Sequence, residues 1–142
     1  MNIETVKING DGWLVNGEIS VPNDKANRHY TEIQTWLESN TPDSEFTAEE
    51  ITATKIKAIE SAIQSELDED AQLSGYDNIN TAVSYASEAS VSTFQTQGKA
   101  FSERRSLAWE YAYTTLASYL AGDIPEPTIE EIVVGMPVRV SV

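Results

Sequence analysis

The stretch from residue 9 to residue 38, NGDGWLVNGEISVPNDKANRHYTEIQTWLE, decides the fold class. It places two glycine-containing turns beside short apolar strands and then continues into an amphipathic segment. Asn16-Gly17 is a preferred dipeptide of the type I′ hairpin turn, because both central residues of that turn need positive φ. With the alternating segment 2–8, the stretch predicts a two- or three-stranded antiparallel meander. A lone hairpin is marginal in water, so we expect the meander to pack on another element.

Helical periodicity follows the meander. Pro22 ends the last predicted strand, and Asn23 or Asp24 is a suitable N-cap for a helix from Lys25 to Glu38. The apolar face of this helix comprises Ala26, Tyr30, Ile33 and Leu37, with Trp36 beside them.

A second, much longer helix is predicted further along the chain. Thr47 and Glu50 have the T-x-x-E spacing of a capping box, in which each residue satisfies a free backbone N–H of the other. The apolar stripe that follows predicts a helix to about Leu73. Gly75 is the expected stop, since glycine readily adopts the left-handed conformation that ends helices.

Four further elements are predicted in the second half of the chain. Asp77 is a suitable cap for a helix over 79–86, and a long helix is expected over 93–121. Thr128 precedes a short helical pattern. The alternating sequence VRVSV at 138–142 is typical of a terminal strand, which either pairs with the meander or remains a free tail.

These elements predict an α+β fold, in which an N-terminal antiparallel β-meander packs with a mainly antiparallel body of three to four helices. We expect three regions. They are a β-rich head with one helix over 1–46, a helical domain over 47–122, and a C-terminal tail with a short helix and strand over 123–142.

Composition limits the possible functions. The 142 residues include no cysteine, so a disulfide framework and a thiolate metal site are excluded. There are 23 acidic residues against 9 lysines and arginines, giving a net charge of -14, which disfavours nucleic acid and anionic membranes and suits a basic partner. No segment approaches the roughly 20 apolar residues of a membrane-spanning helix, and no signal peptide is recognised. We therefore expect a soluble protein retained inside the cell.

No residue pattern predicts catalysis, a cofactor or a metal site. His29 is the only histidine and is interpreted as a helix-surface side chain. The acidic run DEDAQ at 68–72, with Glu66, does not have the spacing of a calcium-binding loop. It is interpreted as a solvated helix end, or alternatively as a docking patch for a basic partner. Arg104 or Arg105 is expected to pair with acids near Glu103 or on the preceding helix.

Two parts of the chain resemble a known group of proteins. WLVNGEISVPNDKANRHYTEIQTWLESNTPDSEFT, residues 13–47, resembles the front end of small proteins encoded among tail genes of tailed bacteriophages. GYDNINTAVSYAS (75–87) and GKAFSERRSLAWEYAYTTL (98–116) resemble a helical module of tail-fibre assembly chaperones. In one respect the chain departs from that module, which often has Trp-Arg where this chain has Arg104-Arg105.

The resemblance implies a non-enzymatic protein that binds a phage tail-fibre or other tail protein, in the host cytoplasm or in the virion tail. Homo-oligomerisation remains open. The alternatives are a permanent minor tail or baseplate component and an acidic DNA mimic that inhibits a DNA-binding protein. The tryptophans alternatively serve only to pack the head on the helices. The predicted partner-binding residues are Trp13, Val15, Ile19 and Val21, supported by Tyr30 and Trp36.

Overall fold

The computed structural model describes residues 1–140 and divides the chain into two compact units, residues 1–51 and 52–142. A three-stranded antiparallel sheet at the N-terminus is followed by five α-helices, so the predicted α+β class is confirmed. We refer to the first unit as the head and to the second as the helical unit.

The sheet of the head is a simple meander of β1 (Val6–Asn9), β2 (Gly12–Val15) and β3 (Ile19–Val21), in that spatial order. Asn16 and Gly17 have φ values of 53° and 75°, as a type I′ turn requires. The predicted hairpin turn is therefore confirmed.

Helix α1 (Tyr30–Leu37) begins later than its sequence pattern predicts. The carboxylate of Asp24 accepts the N–H of Ala26 at 2.9 Å, and the side-chain oxygen of Asn27 accepts the N–H of His29 at 2.9 Å. The predicted cap at Asn23 or Asp24 is thus wrong, because short polar side chains here stabilise turns that compete with the helix.

The core of the head is small. Ile33 of α1 packs with Val6, Val15 and Val21 of the sheet, and all four side chains are buried. In the register of the sheet, Val6 lies opposite Val15, which fixes one face of the meander as the core face.

Helix α2 (Ala48–Leu73) has the predicted beginning and end. Thr47 and Glu50 exchange the two hydrogen bonds of a capping box, at 3.1 and 2.7 Å. Gly75 has a φ of 92°, and the N–H groups of Gly75 and Tyr76 donate back into the last turn, as in a Schellman motif.

The remaining helices belong to the helical unit. They are α3 (Ile79–Ser84), which continues as a 3₁₀ turn over Tyr85–Ser87, α4 (Ser92–Leu120) and α5 (Ile129–Gly135). Asn78, and not the predicted Asp77, caps α3 by accepting the N–H of Thr81 at 2.9 Å. Thr128 caps α5 in a second capping box.

Twelve buried residues form the core of the helical unit, and α5 contributes to it. Gly98 is buried where α4 crosses the end of α3, and a Cβ there would lie 2.4 Å from the backbone nitrogen of Ala86. The twelve residues are Ile59, Ile63, Leu67, Ala71, Ile79, Ala82, Phe101, Ala108, Ala112, Leu116, Ile132 and Met136.

The predicted C-terminal strand is wrong over its described part. Residues 138–140 have no strand structure, and residues 141 and 142 lie outside the described residues. The N–H of Val140 donates to Asp70 of α2 at 3.1 Å, so a side chain replaces the strand partner that the alternating pattern suggests.

Candidate functional site

The two edges of the head sheet differ. On the outer side of β1, Asp43 accepts the N–H of Ile8 at 2.9 Å and donates its own N–H to Val6 at 2.8 Å. Among residues 1–140, no strand pairs with the outer side of β3. An unpaired strand edge presents backbone donors and acceptors that another chain can use. The head therefore has one covered edge and one open edge, and Ile19 lies on the open one.

Two of the predicted partner-binding residues are in the core. Val15 is 0% exposed and Val21 is 1% exposed. Both lie on the sheet face that packs against Ile33 of α1, so their side chains are core groups and do not form an exposed contact surface. Strand alternation separates two faces, but it cannot tell which face a neighbouring helix covers.

Ile19, Trp13 and Tyr30 remain accessible. Ile19 is 39% exposed at the end of β3 that follows the hairpin turn. The rings of Trp13 and Tyr30 are half-buried and meet edge-to-face with centroids 6.0 Å apart. In the sheet, Trp13 lies opposite Val21, whereas Ile19 lies opposite Val15. Trp13 and Ile19 are therefore not cross-strand neighbours.

Trp36 has a different location. Its half-buried ring packs on the head core and, with Val6 and Asp43, lines a shallow cavity of about 200 Å³. The six predicted residues therefore do not form one surface. The structure brings Trp13 and Tyr30 together, buries two valines, and leaves Ile19 and Trp36 in separate places.

The lone histidine is part of a polar cluster in the head. Glu32 accepts a hydrogen bond from the α-amino group of Met1 at 2.8 Å, and its other carboxylate oxygen lies 2.7 Å from Nδ1 of His29. The amino group, and next the histidine ring, lower the pKa of Glu32 below its ordinary value. His29 is thus a hydrogen-bonding partner of Glu32 immediately before α1.

The interpretation of the acidic run as a solvated helix end is wrong. Asp70 is 2% exposed and lies 3.1 Å from the guanidinium of Arg104, which is 4% exposed. Asp68 accepts the N–H of Ile79 at 3.0 Å, and Glu66 lies 3.5 Å from Arg104. Asp70 is thus an interior group, whereas Glu66 and Asp68 are half-buried and Glu69 is exposed.

The sequence contained a signal for this buried pair. Asp70 lies seven residues after Ile63, and Arg104 lies three residues after Phe101, so each charge is in register with the apolar stripe of its helix. Opposite charges on the apolar faces of two helices favour an ion pair between those helices. Arg104 does pair with acids, but Glu66 and Asp70 lie on α2. They are neither beside Glu103 nor on α3, the helix that precedes α4, so the expected partners of Arg104 are wrong.

Searches for known features and relatives gave no match. Within residues 1–140, no group of three or more histidine, cysteine or acidic side chains could hold a metal ion, and no helix is long and apolar enough to cross a membrane. No protein-family model, curated protein or solved structure matches the chain significantly.

Proposed function

We propose that this chain is a non-enzymatic protein that binds a β-rich client, of the kind that assists assembly of phage tail fibres. The single observation that supports this proposal best is the open outer edge of β3 beside the covered edge of β1. A client strand would add to β3 through backbone hydrogen bonds, and the exposed side chain of Ile19 would contribute apolar contact.

The charge of the chain agrees with such a role. A net charge of -14 keeps a protein soluble and repels further copies of itself while a client is bound. Unpaired strands of a folding fibre are prone to edge-to-edge aggregation, and a soluble partner on such an edge would prevent it. The assignment to tail fibres comes from the resemblance of residues 13–47, 75–87 and 98–116. On this proposal the chain acts in the host cytoplasm.

The test is co-expression with a trimeric, β-rich phage tail-fibre protein as the client, comparing two matched variants. Ile19→Lys introduces a charge on the open edge, and Ile8→Lys introduces the same charge on β1, whose edge is already covered. Both isoleucines are 39% exposed, so both changes should alter stability by no more than about 0.5 kcal/mol. We expect Ile19→Lys to lose most of the soluble, trimeric client and Ile8→Lys to retain it.

Equal client yields with the wild type, with Ile19→Lys and without the chain would contradict the proposal. Mass spectrometry of purified particles then separates the two roles that the resemblance allows. Absence of the chain from the particle supports a transient chaperone, whereas a fixed stoichiometry supports a permanent tail component.

A further inference from the structure

Residues 137–140 form a segment without helix or strand structure, which we call the strap, held on α2 and α4. It follows directly on α5 and its last described residue, Val140, packs against the core of the helical unit. Val138 points into solvent and is 90% exposed. The strap thus lies on the surface, and its neighbours range from the buried Asp70 and Arg104 to the exposed Glu69.

The backbone of the strap is bound at three points. The Nε–H of Arg104 donates to the carbonyl oxygens of Pro137 and Val138, at 3.2 and 3.1 Å. On the other side, the N–H of Val140 donates to Asp70 at 3.1 Å. A segment of any sequence could form these contacts, since they involve only backbone atoms of the strap.

One side chain of the strap adds selectivity. The guanidinium of Arg139 donates two hydrogen bonds to Glu66, at 2.8 and 2.9 Å, and a third to Glu69 at 3.0 Å. A bidentate arginine–carboxylate pair demands both charge and planar geometry. The site therefore binds the backbone of the strap and is selective for one arginine.

Two of the residues that bind the strap belong to the interior of the helical unit. Arg104 and Asp70 are at least nine-tenths buried. Nη1 of Arg104 is buried and lies 3.1 Å from Asp70 without forming a hydrogen bond. With Glu66 and Glu69, the site has three carboxylates and one guanidinium of its own, so a cationic occupant is needed to balance it.

We propose that the strap site, meaning the residues of α2 and α4 that bind the strap, recognises a segment of a partner protein in which an arginine is followed by an apolar residue. When that partner is absent, the strap occupies the site. Backbone hydrogen bonds give such sites affinity and a few side-chain contacts give them specificity. The chain's own Val138-Arg139-Val140 is the pattern that the partner would reproduce. This interaction does not depend on the proposed role of the head.

The test uses the full-length chain and two capped synthetic peptides, GMPVRV, which copies residues 135–140, and GMPVEV. Arg139→Glu opposes the acids around the strap and empties the site. We expect this variant to bind GMPVRV at least about tenfold tighter than the wild type does, and at least about tenfold tighter than it binds GMPVEV, by fluorescence anisotropy.

Glu66→Arg should reverse the preference, because it repels Arg139 and attracts the glutamate of GMPVEV. Circular dichroism establishes that each variant is folded, and Arg139→Gln replaces Arg139→Glu if the latter is not. Folded variants that bind neither peptide, or both equally, would overturn the proposal and leave the strap as an internal brace. Because only the strap site is tested, that result would not affect the proposed function of the head.

Discussion

The head and the helical unit differ in what fills their interiors. The head buries four apolar side chains between three short strands and one helix. The helical unit buries twelve and also encloses the Arg104–Asp70 ion pair. A small core leaves little reserve of stability, because the buried apolar area has to offset the entropy lost on folding.

The two units also differ in the kind of candidate binding surface that they have. The head leaves a strand edge open, so its candidate contact consists of backbone groups beside one exposed isoleucine. The helical unit has charged side chains inside its core, and these side chains bind the backbone of the strap. The large core tolerates buried charges because each finds its partner, whereas an unpaired charge would be costly.

Removing one member of the buried ion pair should give the largest effect. Arg104→Ala leaves Asp70 buried without its counter-charge and should lower the free energy of unfolding of the helical unit by about 3–5 kcal/mol. Urea unfolding followed by far-ultraviolet circular dichroism measures it. Arg105→Ala, next on the helix and bonded only weakly to Asn80 at 3.4 Å, is the control and should cost about 0.5 kcal/mol or less. Equal losses would show that Asp70 is solvated.

The head should respond to a cavity in its small core. Ile33→Ala removes the only buried side chain of α1 and should destabilise the head by about 2–5 kcal/mol. Hydrogen exchange by mass spectrometry should show fast exchange in residues 6–37 while α4 remains protected. Ile19→Ala is the matched control, since Ile19 is exposed. Equal deprotection of α4 would show that the two units unfold together.

A substitution that normally strengthens a helix should weaken this one. In an open helix, Gly98→Ala would stabilise by about 1 kcal/mol. Here the new Cβ would meet the backbone of Tyr85 and Ala86, at 2.7 and 2.4 Å, and overpacking should cost about 1–3 kcal/mol. Thermal unfolding measures the shift, with the exposed neighbour change Lys99→Ala as control. A higher melting temperature for Gly98→Ala would refute the close contact.

The smallest effect should be the pH dependence of the strap. Hydrogen bonding by Arg139 holds the pKa of Glu66 below its ordinary value of 4.5. A lowered pKa means that the folded state favours the carboxylate, so this stabilisation is present above pH 4.5 and is lost as pH falls through the folded-state pKa. Arg139→Gln should therefore flatten the acid side of the stability curve, as measured by urea unfolding between pH 3 and 7. If the free energy of unfolding of Arg139→Gln fell with decreasing pH as steeply as that of the wild type, the prediction would be contradicted.

Features that depend on neighbours in sequence were predictable. The hairpin turn at Asn16-Gly17, the capping box of Thr47 and Glu50, and the stop at Gly75 all formed where the pattern indicated. Each involves residues a few positions apart, so the energies that determine it are present in the local segment. The α+β class followed from the order of these local elements.

Features that depend on distant partners were missed. Alternation at 138–142 suggested a strand, yet Val140 is bound by a carboxylate 70 residues earlier. The burial of the Val15 and Val21 side chains was missed as well, because it depends on α1, which packs on their face of the sheet. Similarly, the acidic end of α2 was expected to be solvated, since its cationic partners lie on α4 and on the strap.

The order of residues along the chain was enough to locate the hairpin turn, the capping boxes at Thr47 and Thr128, the main helices and the overall acidity. Folding in three dimensions selected the apolar side chains of the core, the open strand edge and the charges that are buried as a pair. These two groups of features differ in the sequence separation over which their interactions act. Backbone geometry and capping act over a few residues, whereas burial and ion pairing depend on groups that the chain brings together from far apart in sequence.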